Sequence, residues 1–215
     1  MTDICCIGHI TLDKIITPQH ISYMPGGTAY YFSRGMASLH ALTGYKLITA
    51  LGSKEYPIVD ELRKAGIDID VLPSRHTVYF ENRYGENSDN RTQRVLAKAD
   101  PFTIDALHKE NAHFFHLGSL LADDFPPEVI KYLSGKAILS VDAQGYLREV
   151  KGDKVSPIDW PEKREILKYI DILKVNEHEA TVLTGYTNPQ QAAEQLSAWG
   201  VKEVLLTLGS LGSII

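Results

Sequence analysis

The sequence has little cysteine, no excess of basic residues and no long apolar run. Its two cysteines, Cys5 and Cys6, are neighbours, and neighbouring side chains on a strand point to opposite faces. We therefore expect two buried free thiols in a reducing compartment. A formal charge of −5 provides no basic surface for nucleic acid or anionic lipid. No run approaches the ~20 apolar residues of a membrane span, and the N-terminus lacks the basic region of a signal peptide. These features predict a cytoplasmic protein without nucleic-acid or membrane partners.

Several motifs of common enzyme classes are missing as well. The sequence contains no Gly-x-x-x-x-Gly-Lys-Ser/Thr loop, no Gly-x-Gly-x-x-Gly fingerprint and no Gly-x-Ser-x-Gly elbow. Four scattered histidines, His9, His113, His116 and His178, do not have the spacing of zinc ligands. P-loop kinases, dinucleotide enzymes and α/β-hydrolases therefore lose support.

What the sequence does contain is an alternation of short apolar runs and amphipathic segments. The apolar runs, rich in Ile, Val and Leu, predict strands buried on both faces at 4–7, 47–51, 113–117, 137–141, 170–175 and 203–208. The segments between them predict helices at 28–41, 55–65, 127–133, 161–169 and 189–199. This pattern indicates one α/β domain over 1–215, a three-layer sandwich with a mostly parallel central sheet flanked by helices.

Two segments do not fit this alternation. Residues 77–97 are typical of two strands around a polar turn at 85–90, and residues 13–24 are also extended. Together they predict a small antiparallel sheet that acts either as a lid over a site or as a surface hairpin without a role. At the other end, an apolar run begins at Gly212 and stops at Ile215. The sequence therefore predicts a fold that is incomplete at its C-terminus.

Polar residues follow the first strand of this pattern. Asp13 lies just past the carboxyl end of that strand, where a carboxylate can accept hydrogen bonds from ligand hydroxyls; an exposed loop aspartate is the alternative. Gly26 and Gly27 precede a helix, where bare backbone and free amides allow close approach of a ligand. A plain turn with an acceptable N-cap explains the two glycines equally well.

Two later segments have a similar placement. Asp142, Gln144 and Arg148 leave the end of one apolar strand within a short loop, which is either part of a site or an Asx-turn beside a solvated arginine. Thr207 and Gly209 end another strand, where a hydroxyl and a bare glycine suit a nucleotide; a plain β-turn is the alternative.

The segment from Asn176 to Glu179 connects a strand directly to a helix. Asn-x-x-Glu at such a junction can be a capping box, in which each side chain satisfies the other residue's backbone amide. It can also be a ligand site, because open α/β sheets bind ligands at the carboxyl ends of their strands. Carboxylate and amide oxygens suit Mg²⁺ held largely through water.

The order of these segments is more specific than any one of them. The series GHITLD, PGGTAYYFSRGMASL, ITALG with AGIDIDVL, VDAQGYLR, KVNEHEATVLTG and LLTLGSLGSII resembles the ribokinase-like (PfkB) family of carbohydrate kinases over essentially the whole chain. The resemblance implies transfer of the γ-phosphate of Mg·ATP to a hydroxyl of a sugar, polyol or nucleoside. It also implies that the segments 13–24 and 77–97 form a lid over the substrate, and that lids of two subunits pair in a homodimer.

The resemblance assigns roles to residues by position. Asp13, Gly26 and Gly27 would contact substrate hydroxyls, with Tyr31 at the same pocket. Asp142, Asn176 and Glu179 would form the phosphate and Mg²⁺ side, with Glu179 acting on the metal through water. Thr207 and Gly209 would lie at the nucleotide.

The chain departs from the family pattern at three places. Tyr31 stands where the family usually has an asparagine that contacts the sugar, which favours a divergent branch acting on an inositol-like polyol or an unusual sugar. The loop at 52–57 lacks the usual Asp and Gly. The family's Gly-x-Gly-Asp segment, which contains the catalytic base, is expected past Ile215, so no catalytic residue is assigned within this chain. A non-catalytic sugar-binding protein and a nucleoside kinase are the alternatives.

Overall fold

The computed structural model describes residues 2–85 and 91–215. In chain order its strands are β1 (Thr2–Gly8), β2 (Thr11–Ile16), β3 (Ile21–Gly26), β4 (Tyr45–Leu51), β5 (Asp68–Pro73), β6 (Val78–Tyr84), β7 (Arg91–Ala97), β8 (Ala112–Gly118), β9 (Ile138–Asp142), β10 (Arg148–Lys151), β11 (Lys154–Pro157), β12 (Ile172–Asn176), β13 (Glu203–Thr207) and β14 (Ser213–Ile214). The helices are α1 (Thr28–Ser38), α2 (Tyr56–Lys64), α3 (Ile104–Leu107), α4 (Pro127–Ser134), α5 (Lys163–Ile166), α6 (Glu177–Thr184) and α7 (Pro189–Ala198).

The central sheet has the strand order β14-β13-β12-β9-β8-β1-β4-β5. Every pair in it is parallel except β13–β14, and it contains all six strands predicted from the apolar runs. The sequence pattern did not predict β5, in which exposed Asp68 and Asp70 alternate with buried Ile69 at the sheet edge. The mostly parallel central sheet is confirmed.

Helices cover both faces of this sheet and complete three layers. The larger core lies under α3 to α7 and includes Phe115, Leu139 and Val175 from the strands. The smaller core lies under α1 and α2. Cys5 belongs to the first core and Cys6 to the second, so the two free thiols are buried on opposite faces, as the strand geometry predicts.

The second sheet, called the lid sheet below, has the strand order β10-β11-β7-β6-β2-β3. The predicted segments 13–24 and 77–97 contribute β2, β3, β6 and β7, whereas residues 86–90 of the predicted turn lie outside the described residues. Its pairs are antiparallel except β2–β6, which is parallel. The strands β10 and β11 were not predicted, and they widen the sheet on one side.

The lid sheet starts directly at the carboxyl edge of the central sheet, because β2 follows β1 after only two residues. One face of the lid sheet packs against the main body through Val78, Phe80 and Val95, which contact Leu120 and Leu121. We call this the inner face. No helix among the described residues is long and apolar enough to cross a membrane.

Candidate active site

Parallel strands bring most of the predicted site residues to one edge of the central sheet. Gly8 of β1 is in register with Gly118 of β8, which pairs with Asp142 of β9, which in turn pairs with Lys174 of β12. These strands therefore end together, as the carboxyl ends of parallel strands do. The residues that follow β1, β9, β12 and β13 consequently surround a common cleft beneath the lid sheet.

Asp13 lies within a strand of the lid sheet and is not a loop residue. It is half-buried on β2, and its Oδ1 accepts a hydrogen bond of 2.7 Å from Thr11 Oγ1. A Cβ atom on Gly26 would lie only 2.6 Å from Asp13 Oδ2. The missing side chain of Gly26 therefore allows the Asp13 carboxylate to lie directly against the backbone of β3.

Gly27 has a second structural reason to be glycine. Its φ of 92° lies in the region that favours glycine, and a Cβ atom there would be 2.5 Å from the carbonyl oxygen of His9. His9 is buried and its Nδ1 bonds the Ala50 carbonyl at 3.1 Å, which holds this backbone in place. Gly27 also forms the N-cap of α1, where no side chain caps the free amides.

Tyr31 lies on α1 and faces the same space as Asp13. Its side chain is 56% exposed and contacts Tyr30 edge to face, with the ring centroids 5.4 Å apart. Partial burial and then the negative charge of Asp13 raise the pKa of Tyr31 above its ordinary value, with smaller effects of Tyr30 and Tyr84. The Tyr31 hydroxyl is therefore a neutral group beside the Asp13 carboxylate.

Asn176 and Glu179 form the capping box that their spacing predicts. Asn176 Oδ1 accepts from the Glu179 amide at 2.8 Å, and Glu179 Oε2 accepts from the Asn176 amide at 2.9 Å. Glu179 is only 7% exposed, and this burial raises its pKa. The Asn176 amide and the positive charges of Lys174 and Arg148 oppose the rise, while Asp142 adds to it. The capping box therefore also places a buried carboxylate, that of Glu179, at the cleft.

Asp142 is the second buried carboxylate at this edge. Its Oδ1 accepts from the Gln144 amide at 3.1 Å, which is the predicted Asx-turn, and its Oδ2 lies 3.3 Å from Lys174 Nζ. Its carbonyl accepts from Ser119 Oγ at 2.6 Å, and Ser119 Oγ also accepts from the Gly145 amide. The loop after β9 is therefore held firmly against the loop after β8.

Thr207 and Gly209 differ in how close they come to the capping box. Thr207 is in register with Asn176, and its Oγ1 donates to the Val175 carbonyl at 3.4 Å. Gly209 has φ of 58° and starts an exposed 3-10 turn, Gly209–Leu211, where a Cβ atom would meet nothing within 4 Å. Thr207 is adjacent to the capping box, whereas Gly209 lies further out on the rim.

A cavity of about 490 Å³ joins the capping box to the lid sheet. It is lined by Gln93, Gln144, Leu147, Arg148, Val155, Pro157, Ile158, Asn176, His178, Glu179 and Val182. Val155 and Pro157 of this set were missed because β11 was not predicted, whereas Gln93 lies in the predicted segment 77–97 but was not recognised as a cavity residue. A signal was present: Gly152 and Asp153 form a two-residue turn between alternating residues, and Gly152 has φ of 65°, which is typical of a tight hairpin.

The two sides of the cleft, at the ends of β1 and β12, are separated by the width of three strands. Three inter-strand steps separate β1, which continues into the Asp13 strand, from β12, which ends at Asn176. At ordinary strand spacing this is about 14 Å. Asp13 and the capping box therefore lie on opposite sides of the cleft.

The donor atoms present suit a water-held metal ion and not a complete protein cage. Within residues 2–85 and 91–215, no three His, Cys, Asp or Glu side chains cluster as metal ligands. Mg²⁺ commonly keeps several waters and binds one or two carboxylates together with substrate phosphates. The buried carboxylate of Glu179 at the cleft fits that mode.

A mostly parallel sheet with a layer of helices on each face, and with carboxylates and glycines at its carboxyl edge beneath a second sheet, defines an α/β protein with a cleft at that edge. Residues 1–215 match the family model described as pfkB family carbohydrate kinase. The chain therefore belongs to the PfkB family of carbohydrate kinases. This confirms the resemblance and supports the ATP-dependent phosphotransferase that the sequence predicts.

Relatives and solved structures are similar over nearly the whole chain. A cytidine kinase of Thermococcus kodakarensis is 29% identical over 229 residues, which cover 100% of this chain and 76% of the relative. A pyrophosphate-dependent kinase in the ribokinase family is 30% identical with a TM-score of 0.85, covering 95% of this chain and 73% of the other. A structure of such a kinase with a pyrophosphate analogue and myo-inositol is 29% identical with a TM-score of 0.85, covering 95% and 72%.

Proposed function

We propose that the protein is a Mg·ATP-dependent kinase that phosphorylates a hydroxyl of a small sugar or polyol. The observation that carries the proposal is the shared sheet edge: Asp13 lies against Gly26 on one side of the cleft, and the Asn176–Glu179 box lies on the other. A carboxylate that binds acceptor hydroxyls and a carboxylate on the phosphate side are two of the elements that phosphoryl transfer to an alcohol uses, and a base for the hydroxyl proton is a third.

On the acceptor side, the residues bind and orient. The Asp13 carboxylate accepts hydrogen bonds from acceptor hydroxyls, while Gly26 and Gly27 keep the backbone bare beside it. The Tyr31 ring bounds the pocket with a neutral hydroxyl and an apolar face. An aromatic wall suits the ring of an inositol-like polyol, whose C–H face is apolar.

On the donor side, ATP and Mg²⁺ would supply the phosphoryl group and neutralise its charge when bound. Glu179 would hold a water of the metal, and Asn176 would fix the Glu179 backbone and side chain. Asp142 and Lys174 would orient this edge, and Thr207 and Gly209 would border the nucleotide. The base that accepts the hydroxyl proton is assigned to no residue of 1–215.

A nucleoside is the second candidate acceptor, because a relative that covers the whole chain at 29% identity is a cytidine kinase. Pyrophosphate is the second candidate donor, because solved relatives at 29–30% identity are pyrophosphate-dependent. The central experiment therefore crosses two donors, ATP and pyrophosphate, with myo-inositol, ribose, fructose and cytidine. The gene product that contains residues 1–215 is used, and phosphorylated acceptor is measured by ³¹P NMR.

We expect Mg²⁺-dependent product from ATP with a sugar or polyol. If cytidine is the only compound that is phosphorylated, the acceptor is a nucleoside and not a sugar or polyol. If only pyrophosphate gives product, the donor is pyrophosphate and not ATP. Binding of a sugar by calorimetry with no product from any pair would support the non-catalytic sugar-binding alternative and overturn the kinase proposal.

We further propose that residues 1–215 act as one domain whose lid sheet closes over the acceptor, and that two lid sheets pair in a homodimer in the cytoplasm. The edge strand β3 supports pairing, since Ile21 and Tyr23 on it are 57% and 60% exposed. Large apolar side chains on an unpaired edge are a common means of association. A mass from light scattering equal to the monomer would contradict the dimer.

A further inference from the structure

A buried histidine and a buried aspartate face each other behind the proposed acceptor side. His9, which follows β1, is 1% exposed, and Asp124, which precedes α4, is 4% exposed. His9 Nε2 lies 3.7 Å from Asp124 Oδ1, and the His9 ring stacks on Phe102 with the ring centroids 4.5 Å apart. Neither side chain has a role in the function proposed above, so their burial requires a separate explanation.

The surroundings of His9 decide which of its nitrogens carries a proton. Nδ1 lies 3.1 Å from the carbonyl oxygen of Ala50, which can only accept, so Nδ1 must donate. In a neutral imidazole the other nitrogen, Nε2, then bears a lone pair. Nε2 is buried and has no hydrogen-bond partner within the described part of the chain. A neutral His9 would therefore direct this lone pair at the carboxylate of Asp124, which is unfavourable in a buried place.

The other carboxyl oxygen of Asp124 is already hydrogen-bonded. Oδ2 accepts from the amides of Leu120 at 2.7 Å and Leu121 at 3.0 Å. Burial raises the pKa of Asp124 and Asp123 adds to the rise, whereas His9 and the two amides oppose it. An imidazole ordinarily binds a proton more tightly than a carboxylate, by about 2 to 3 pKa units, and amide donors favour the ionised carboxylate. A single proton in this pair therefore belongs on His9 Nε2.

The pair connects two parts of the protein that meet at the acceptor side. The carbonyl oxygen of His9 lies 2.5 Å from the position that a Cβ atom on Gly27 would take. Asp124 holds the turn with Leu120 and Leu121, whose side chains pack against the inner face of the lid sheet. We call these two leucines the lid seat. Attraction between His9 and Asp124 therefore holds the lid seat against the backbone of the acceptor side.

We infer that His9 and Asp124 are positioning residues of the acceptor side, and that a proton on His9 Nε2 makes them an imidazolium–carboxylate pair. Because both side chains are buried, they act through Gly27 and the lid seat and not by contact with the acceptor. The positioning role rests on the proposed function for the identity of the acceptor side. The protonation of His9 does not depend on it.

The groups around the pair leave the His9 proton as the one that changes between pH 6 and pH 9. Against His9 lie the Ala50 carbonyl and the Phe102 ring, which do not titrate. Asp123 is exposed and accepts a hydrogen bond from Lys98 Nζ. Tyr146 is buried, its hydroxyl donates to the Phe125 carbonyl at 3.4 Å, and burial raises its pKa well above the ordinary value.

The test uses Asp124→Asn and Asp124→Ala in the gene product that contains residues 1–215. Asparagine keeps an oxygen for the two amides, and its NH₂ group can donate to Nε2 of a neutral His9, so the contact remains while the carboxylate is lost. Asp3→Asn is the matched control, because Asp3 and His113 form a pair at 3.2 Å in which both side chains are about 60% exposed.

The proton is observed directly in ¹H–¹⁵N spectra of protein labelled at the histidine rings. In wild type at pH 7, both ring nitrogens of His9 should carry hydrogen. In Asp124→Asn, Nε2 should carry none, and in Asp3→Asn the His9 signals should equal those of wild type. An unprotonated Nε2 in wild type at pH 7 would overturn the inference.

The positioning role is tested by following the acceptor KM from pH 6 to pH 9 together with these spectra. Loss of one such contact corresponds to about a tenfold change, so the wild-type KM should rise about tenfold as Nε2 loses its proton, with the donor KM constant. Asp124→Asn should keep the low acceptor KM throughout, and Asp124→Ala should show the raised KM throughout. Asp3→Asn should follow wild type. If Asp124→Ala does not fold, His9→Gln takes its place with the same expected rise.

A wild-type KM that does not follow the protonation of His9 would overturn the positioning role, and so would a wild-type KM in folded Asp124→Ala. If His9 stays protonated to pH 9, the wild-type KM should stay low to pH 9. If wild type binds an acceptor in calorimetry without phosphorylating it, the kinase proposal fails, and the acceptor Kd replaces KM in this test. If wild type binds no acceptor, the proposed function and the positioning role both fail, while the spectra still decide the proton on His9.

Discussion

The two sides of the cleft are built in opposite ways. The proposed phosphate side is local: Asn176 and Glu179 lie three residues apart and satisfy each other's amides. The proposed acceptor side is assembled from distant segments, because Asp13 of β2 lies against Gly26 of β3, and Gly27 lies against the His9 backbone. A local motif has a predictable geometry and an ambiguous role, whereas an assembled site has an unpredictable geometry and a clearer role.

Two helix N-termini show why the local side is ambiguous. Asn176 caps α6 and Asn188 caps α7, and each accepts a hydrogen bond from the third helical amide. Only α6 has the reciprocal glutamate, and only α6 begins directly at the carboxyl end of a central strand. Placement in the fold, and not the cap itself, distinguishes the candidate site.

The largest effect on the free energy of unfolding is expected from Gly27→Ala, on the side that is assembled from distant segments. The Ala Cβ would lie 2.5 Å from the His9 carbonyl oxygen, at φ of 92° and ψ of 152°. This backbone region costs an L-residue up to about 3 kcal/mol, and the close contact adds to that cost. Urea unfolding should show a loss of about 3 kcal/mol or more.

Gly35→Ala is the matched control for that change, since a Cβ at Gly35 of α1 would meet nothing within 4 Å. It should stabilise the protein by roughly 0.5 to 1 kcal/mol, because alanine has the higher helix propensity. If both variants had the same stability, the acceptor side would not depend on the close backbone approach.

The next largest effect is expected from Glu179→Gln, which tests whether Glu179 does more than cap α6. The amide oxygen of glutamine can still accept from the Asn176 amide, so the capping box is kept while the carboxylate is lost. If Glu179 acts on the metal, kcat should fall about 100-fold. A thermal midpoint near that of wild type with unchanged kcat would restrict Glu179 to capping.

Glu179→Gln should also change how stability depends on pH. Burial raises the pKa of Glu179 in the folded protein, so its ionised form opposes folding at neutral pH. Wild-type stability should therefore gain a contribution as pH falls through this raised pKa towards the unfolded value near 4.5. Chemical unfolding from pH 7 to pH 4 should show that contribution in wild type and not in the variant.

Smaller effects on stability are expected from Asn176→Ala and Asn188→Ala, which compare the N-caps of α6 and α7 directly. Each removes one capping hydrogen bond and should cost about 1 kcal/mol of unfolding free energy. Only Asn176→Ala should also lower kcat, by about tenfold, because only its helix supports Glu179. Equal activity of the two variants would contradict a role of α6 beyond folding.

The sequence predicts the central sheet well for a physical reason. Strands β1 and β4 are buried on both faces from Cys5 to Gly8 and from Leu47 to Leu51, so their apolar runs are easily recognised. The capping box was predicted with its partners, because capping depends on neighbours within one helical turn. The edge strand β5 and the hairpin β10–β11 alternate with polar residues at sheet edges, where the pattern is weak.

The acceptor side could be predicted as a set of residues but not as a site. Asp13 was predicted just past the end of the first strand, with an exposed loop aspartate as the alternative, and the structure places it on a lid strand against Gly26. Gln93 was missed as a cavity residue because its place depends on the pairing of β6 with β7 and on the position of β11, which involve long-range contacts. Local patterns contain no information on such register.

The smallest effect on stability is expected at Tyr31. This exposed residue belongs to the proposed acceptor side, so its substitution should change that side without disturbing the fold. Tyr31→Phe removes an exposed hydroxyl and should change stability by less than about 0.5 kcal/mol. The pKa of Tyr31 is raised above its ordinary value, so its hydroxyl stays neutral and the rate profiles of wild type and variant should coincide from pH 6 to pH 9.

Tyr31→Asn, which introduces the residue usual in the family, should favour ribose over myo-inositol by a few-fold in kcat/KM. An unchanged ratio in the folded variant would remove Tyr31 from the acceptor pocket and leave Asp13 and the lid sheet to select the acceptor.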